Sequence, residues 1–243
     1  TGENRKMAEV KLVALSSPSA QTDCHTAEEL IAYAARVSNP ANQNNKQTAQ
    51  GLVRYLIREN HWSPFEMVHM TMEIKTTRDI ARQIIRHRSF SFQEFSQRYA
   101  EAEGFSTREA RLQDPKNRQN SIELDGIEDF GKGGNKTPHE RLAEQWSMKQ
   151  SEVVKKAKDA YKWALDQGIA KEQARAVLPE GNTQSTLYMA GSLRSWIHYC
   201  DLRRGNGTQK EHMVIADKCW EVISVHFPNI TTAIDKMNAP IEP

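Results

Sequence analysis

Apolar positions along this chain change period several times, and each change marks an element. Residues 9–16 (EVKLVALS) read as a short first strand. Thr26-Ala-Glu-Glu29 has the form of a capping box, and Leu30, Ile31, Ala34, Ala35 and Val37 continue it as the apolar stripe of a helix. Ser38-Asn-Pro40 ends that helix. A second amphipathic helix carries Leu52, Val53, Leu56 and Ile57 and stops near Asn60, before a turn in which Pro64 bars helix. Val68, Met70, Met72 and Ile74 then alternate with His69, Thr71, Glu73 and Lys75, which predicts a half-buried strand. It feeds a helix with Ile80, Ala81, Ile84 and Ile85 on one arc and Arg78, Arg82, Gln83 and Arg86 on the other, capped by Thr76 or Thr77. That helix should break near His87-Arg88, because Phe90-Ser-Phe92 alternates and serine-rich sequence disfavours continuation.

Residues 102–136 lose all sustained period, with Asp114-Pro-Lys-Asn-Arg-Gln-Asn120 and Gly131-Lys-Gly-Gly-Asn135 as the least regular pieces. A stretch of this length is expected to be a mobile flap beside the functional site. Regular structure resumes at Thr137-Pro-His-Glu140, which places a cap, a first-turn proline and an acidic residue three after the cap. The helix should run to about Gln167, close at Gly168, and bury Trp146, Val153, Val154, Ala157, Tyr161 and Ala164. A short helix over 171–178 ends before Pro179. Residues 186–203 are expected to form one helix, with Leu193, Trp196, Ile197 and Cys200 inward and Arg194, His198 and Asp201 outward. Gly205-Asn-Gly207 turns the chain, and Thr208-Gln-Lys-Glu211 opens the last long helix, whose core residues are Ile215, Cys219, Trp220, Ile223 and Phe227.

Composition narrows the class. A chain of 243 residues with 38% hydrophobic and 26% charged residues is globular, and it exceeds the roughly 150 residues of a common domain without demanding two. We expect one α+β domain over 7–243, with residues 1–6 as a disordered or left-over segment. A net charge of +2 gives no general case for nucleic acid. No apolar run approaches the ~18 residues of a membrane span. Cys24, Cys200 and Cys219 lack metal-type spacing, and a reducing cytoplasmic setting is expected.

Candidate chemistry concentrates after the arginine helix. Arg86, His87 and Arg88 come together, followed by Glu94, Phe95, Ser96, Gln97 and Arg98. Guanidinium forks and hydroxyls at this density suit a phosphate, and Gln83 adds an amide for a base edge or another polar group. Arginine-rich helix faces are more often plain solvated surface, and a helix of this kind could also serve a nucleic-acid-binding module. Glu94, Gln83 and Ser96 among the arginines, and the near-neutral net charge, count against nucleic acid. No Gly-x-Gly-x-x-Gly fingerprint supports a Rossmann dinucleotide site.

The whole string, Arg86-His-Arg88, seven residues, then Ser96 with Glu94 before it and Arg98-Tyr99 after it, resembles the signature of flavin-dependent thymidylate synthases. His61-Trp-Ser-Pro-Phe-Glu66 is similar to a segment that precedes the arginine motif in that family. Ser192-Leu-Arg-Ser-Trp-Ile-His-Tyr-Cys-Asp-Leu-Arg203 is similar to a third segment, departing from it at Ser192, where asparagine is usual. The resemblance implies an α+β protomer that assembles as a homotetramer with FAD at the interfaces. It implies methylation of dUMP to dTMP, with NADPH as reductant and methylenetetrahydrofolate as one-carbon donor, releasing tetrahydrofolate. It places Ser38, Ser63, Glu66, Arg86, His87, Arg88, Glu94, Ser192, Arg194 and His198 near the flavin. It places Gln83, Arg86, Glu94, Phe95, Ser96, Gln97, Arg98, Arg175 and Arg203 at the nucleotide, with Arg203 facing the pyrimidine as the catalytic cation. No metal, nucleic acid or membrane partner is expected. A different flavoprotein on the same scaffold is the remaining alternative.

Overall fold

Alternation over 68–75 mostly does what period two requires: Val68, Met70, Met72 and Ile74 are buried and His69 and Lys75 stay exposed, while Glu73, expected outward, is buried beneath its ion pair with Lys11. This computed structural model describes residues 8–102, 104–124, 136–205 and 207–238. The expected left-over segment and part of the 102–136 stretch therefore lie outside the described residues.

Four antiparallel strands form the main sheet in the order β1, β2, β6, β3, where β1 is Glu9–Leu15, β2 His69–Thr77, β3 Ser91–Glu94 and β6 Gln184–Ser192. Ile74 pairs with Leu187 and Met72 with Met189, so the buried residues of neighbouring strands stack into one apolar face. The opposite face is a ladder of charge, with Lys11 on Glu73 at 2.8 Å and Lys75 on Glu9 at 3.0 Å. The register slips between Leu12 and Ala14, which skips Val13.

β6 overturns the helix expected over 186–203. Leu187, Met189 and Gly191 are buried while Tyr188 is exposed, a period of two. Two neighbouring strands complete its hydrogen bonding, and the helical phase of residues 193–200 does not continue back over it. The true helix, α6, is Leu193–Arg204, and Ser192 caps it by accepting from the Ser195 amide at 3.2 Å.

The other helices are α1 (Ala27–Ala35), α2 (Ala49–Arg58), α3 (Arg78–Ile84), α4 (Pro138–Asp166), α5 (Lys171–Ala174), α7 (Lys210–His226) and α8 (Pro228–Asn238). α1 stops before Val37, which is 71% exposed rather than part of the stripe. In its capping box Thr26 accepts from the Glu29 amide, but Glu29 reaches back to the His25 amide instead of that of Thr26. α7 is not the last helix, because Pro228 sits at a helix start, where a missing N–H costs nothing, and α8 follows. α4 has the expected capping box and closes at Gly168 with φ +77°. Ala157, Tyr161 and Ala164 are buried and Val154 is half-buried, but Trp146 (44%) and Val153 (52%) are exposed, so a third of its expected core stripe faces outward in the protomer.

The stretch expected to lack structure holds a hairpin, β4 (Arg111–Gln113) against β5 (Ser121–Glu123). Asp114 organises its loop by accepting from the amides of Lys116 and Asn117 and from the side chain of Asn120.

Candidate active site

α3 begins directly where β2 ends. Thr77 is the N-cap residue, and its hydroxyl donates to Asp79 at 2.6 Å rather than capping the backbone. Ile80, Ala81 and Ile84 are fully buried, which seats the helix on the core. Arg78 departs from expectation. Instead of facing solvent it is 8% exposed, ion-paired to Glu94 at 3.8 Å and Glu180 at 3.5 Å. A helix of two turns has little phase to read, and both carboxylates come from segments remote in sequence. Glu94 also accepts from Ser185 at 2.9 Å.

The helix ends at Ile84, so Arg86, His87 and Arg88 lie in the turn after it, with Arg86 and Arg88 exposed. From the end of α6, Arg203 meets this turn: its Nε–H donates to His87 Nε2 at 2.9 Å. His87 therefore carries its proton on Nδ1. Burial and the Arg203 cation hold its pKa below the usual histidine value, so the neutral acceptor form is favoured. Tyr199, one turn earlier on α6, packs edge-on against His87 with ring centroids 4.9 Å apart. Gln83 points the same way, bonded to Gln209 at 2.8 Å and to His212 at 3.3 Å.

Beyond β3, Phe95 N–H donates to Thr186 O at 2.8 Å and ties the next turn to β6. Ser96 accepts there from the Arg98 amide. The Gln97 side chain is buried, and its Nε2 has no hydrogen-bond partner. Arg98 and Arg175 converge on Glu172, Arg98 through the carboxylate at 3.2 Å and Arg175 through the backbone carbonyl at 3.2 Å. Among the described residues, Arg86, Arg88, Arg175 and Arg203 have no carboxylate at ion-pair distance. Uncompensated guanidinium groups with an orphaned buried amide donor fit an anionic, oxygen-rich ligand.

A second cluster forms where the Ser63–Met67 turn meets α6. Glu66 binds Arg194 at 2.6 Å, and Trp62 packs edge-on against His198 at 4.9 Å. Burial first, then the Arg194 charge, lowers the His198 pKa despite Asp201. Ser63 is exposed at the start of the turn, and Ser192 is committed to capping α6. Ser38 stands apart on the turn after α1, in a shallow groove with Asn39, Asn42 and Thr48, and bonds no other candidate residue.

The structure adds residues that no spacing in the sequence indicated. His212 lies on α7, 129 positions from Gln83, and Arg108 and Arg111 lie in the stretch that lacked a period. Arg108 binds Asp79 at 2.7 Å, and both arginines pair with Glu211 on α7.

The family described as thymidylate synthase complementing protein matches residues 21–229. A probable flavin-dependent thymidylate synthase of Paramecium bursaria Chlorella virus 1 is 48% identical over 226 residues, covering 93% of this chain and 98% of the relative. A flavin-dependent thymidylate synthase of Synechocystis sp. is 46% identical over 229 residues, covering 93% and 99%. Among solved structures, the UMP/dUMP methylase PolB of Streptomyces cacaoi, bound with 5-Br dUMP, superposes with a TM-score of 0.76 at 27% identity, covering 94% of this chain and 95% of that one. The convergence of Arg203 on the Arg86-His87-Arg88 turn, in a chain matched over nearly its whole length, places this protein in the flavin-dependent thymidylate synthase family.

Proposed function

We propose that this enzyme methylates dUMP to dTMP with FAD as cofactor, NADPH as reductant and methylenetetrahydrofolate as one-carbon donor, releasing tetrahydrofolate. The observation that carries the proposal is the Arg203–His87 contact, which holds a cation without a carboxylate partner beside a cluster of arginines. Arg86, Ser96, Arg98 and Arg175 bind the nucleotide phosphate, Arg98 exchanging Glu172 for it. Phe95 and Gln97 shape the turn, and Gln97 offers its free amide N–H. Glu94 orders water or a sugar hydroxyl, and Gln83 meets the base. Arg203 stabilises negative charge that develops on the pyrimidine ring.

The donor set also fits a flavin dinucleotide. Arg86 and Arg88 suit its diphosphate, and Ser63, Glu66, His87, Arg194 and His198 supply polar and ring surface around it, with Ser38 and Ser192 at the periphery. When bound, the flavin supplies the redox chemistry, and the residues position and polarise. Within one protomer these groups fall into separate clusters, and α4 exposes Leu142, Trp146, Met148, Val153 and Trp163. Both features favour the homotetramer with shared sites.

Purified protein should show a flavin absorption spectrum that dUMP perturbs, and should form dTMP when supplied with NADPH and methylenetetrahydrofolate. Flavin-loaded protein whose spectrum ignores dUMP would overturn the substrate assignment. Sedimentation should give a tetramer, and a monomer with stoichiometric tight FAD would overturn the shared-site arrangement.

A further inference from the structure

His212 is completely buried on α7, where an aliphatic side chain would pack without any polar cost. Both its ring nitrogens are used. Gln83 Oε1 can only accept, so His212 must donate to it from Nδ1 at 3.3 Å. His212 Nε2 is then an acceptor, and the Tyr199 hydroxyl, 3.0 Å away, donates to it. The direction continues beyond Gln83: its Nε2 donates to Gln209 Oε1 at 2.8 Å, and Gln209 Nε2 donates to Glu211 at 2.9 Å. Every donor in this chain points toward an ionised carboxylate that Arg108 and Arg111 hold in place. Aligned bonds in a region of low dielectric reinforce one another, so the orientation of each member fixes the next.

The chain touches the site at two points. Tyr199 packs edge-on against the His87 ring that accepts from Arg203, and Gln83 is the amide expected at the pyrimidine. We infer that His212 is a positioning residue for the nucleotide site. As the Nδ1–H tautomer it orients the Gln83 amide, and through Tyr199 it backs the His87 ring on which Arg203 rests. This rests on the dUMP reading above for the ligand that Gln83 meets, but not for the tautomer. A buried pKa brought down to about 3 agrees with a ring that stays neutral beside Arg203 and His87.

Two substitutions separate the arms of the ring. His212→Asn keeps a donor near the Nδ1 place and loses the contact to Tyr199. His212→Gln keeps a polar atom near the Nε2 place and loses the bond to Gln83. Flavin content and melting temperature should show that both variants fold. His212→Gln should raise KM for dUMP by about tenfold, the worth of one neutral hydrogen bond, with a smaller change in kcat. His212→Asn should recover most of that KM. Combining His212→Gln with Gln83→Ala should add nothing to the KM of Gln83→Ala alone. Equal KM defects in both variants, or none in either, would overturn the inference. Failure of the wild-type enzyme to make dTMP would count against the dUMP reading instead. Nitrogen-15 spectra of labelled wild-type protein test the tautomer whether or not the variants fold: the His212 imidazole, like that of His87, should carry its proton on Nδ1 with Nε2 as acceptor, and an Nε2–H signal for His212 would sink the proposal.

Discussion

Arg203 and Arg98 are both arginines of the proposed nucleotide site, but their surroundings give them different work. Arg203 rests on a neutral histidine, so its charge is unspent, whereas Arg98 already holds Glu172. Arg203→Ala should lower turnover strongly while flavin stays bound. Arg98→Ala or Arg175→Ala should mainly weaken dUMP binding. A charge-assisted bond to phosphate is worth about 1.5–3 kcal/mol, which corresponds to a rise in Kd of roughly ten- to a hundredfold. Steady-state kinetics with a dUMP titration separate the two outcomes, and identical defects would refute distinct roles. The cysteines are a second test at this scale. Cys200 and Cys219 are fully buried, and burial pushes both thiols up, away from the thiolate a nucleophile needs. Cys24, only partly buried, shifts the same way. Each cysteine-to-alanine variant should therefore still form dTMP, with Cys200→Ala losing on the order of 1 kcal/mol of stability to a small cavity. A folded, flavin-loaded Cys200→Ala protein without activity would contradict this.

At the scale of elements, β6 is the central case. Gly191 faces Phe90 so closely that an added Cβ would lie 2.5 Å from the ring. Phe90 in turn packs on Trp196 and Tyr199, so Gly191→Ala would push a ring into the side chains that back His87. We expect a loss of about 1–3 kcal/mol in urea unfolding and a drop in turnover larger than instability alone explains. The same strand shows what could be read in advance. Strongly periodic segments gave their elements: the alternation over 68–75, the stripe of α2 and the capping box of α4 are all where the residues put them. Residues 186–192 lacked that clarity, because alanine, glycine and serine beside Leu187 and Met189 leave the period open until neighbouring strands complete the ladder. The hairpin of β4 and β5 escaped for a similar reason, its strands being too short to show alternation. Within the candidate site, His87 and Arg203 were found by motif and do meet. Arg78, Tyr199, Gln209 and His212 were not, because their roles come from contacts across more than one element.

At the scale of the whole molecule, three histidines should respond to acid in one direction. His212, His87 and His198 all have folded pKa values below the unfolded one, so the unfolded chain binds more protons once pH falls below about 6.5. Stability is then fully present above that value and lost on descent, by up to about 1.4 kcal/mol per pH unit for His212 alone until its folded pKa near 3 is reached. Burial works against the charge of Glu211, but Arg111 and Arg108 outweigh it and leave its pKa lowered, which adds a loss of the same sign in more acidic solution. Urea midpoints should stay level from pH 8 to about 6.5 and fall from there to pH 5, less steeply in His212→Gln. A midpoint that rises on acidification would refute the assignment. The two junctions at Thr77-Arg78 and Ser192-Leu193 carry a different consequence. At each, a sheet strand becomes a helix with no residue between, and Ser192 belongs to the strand while capping the helix. Strand register and helix rotation are thereby geared together. One inserted residue would turn everything downstream by about 100°, swinging Arg203 off His87, while the same insertion within 114–120 would only lengthen a hairpin loop. Natural length variation among related chains is thus expected in that loop and absent at the two junctions, which leaves substitution as the only route by which this pocket can drift.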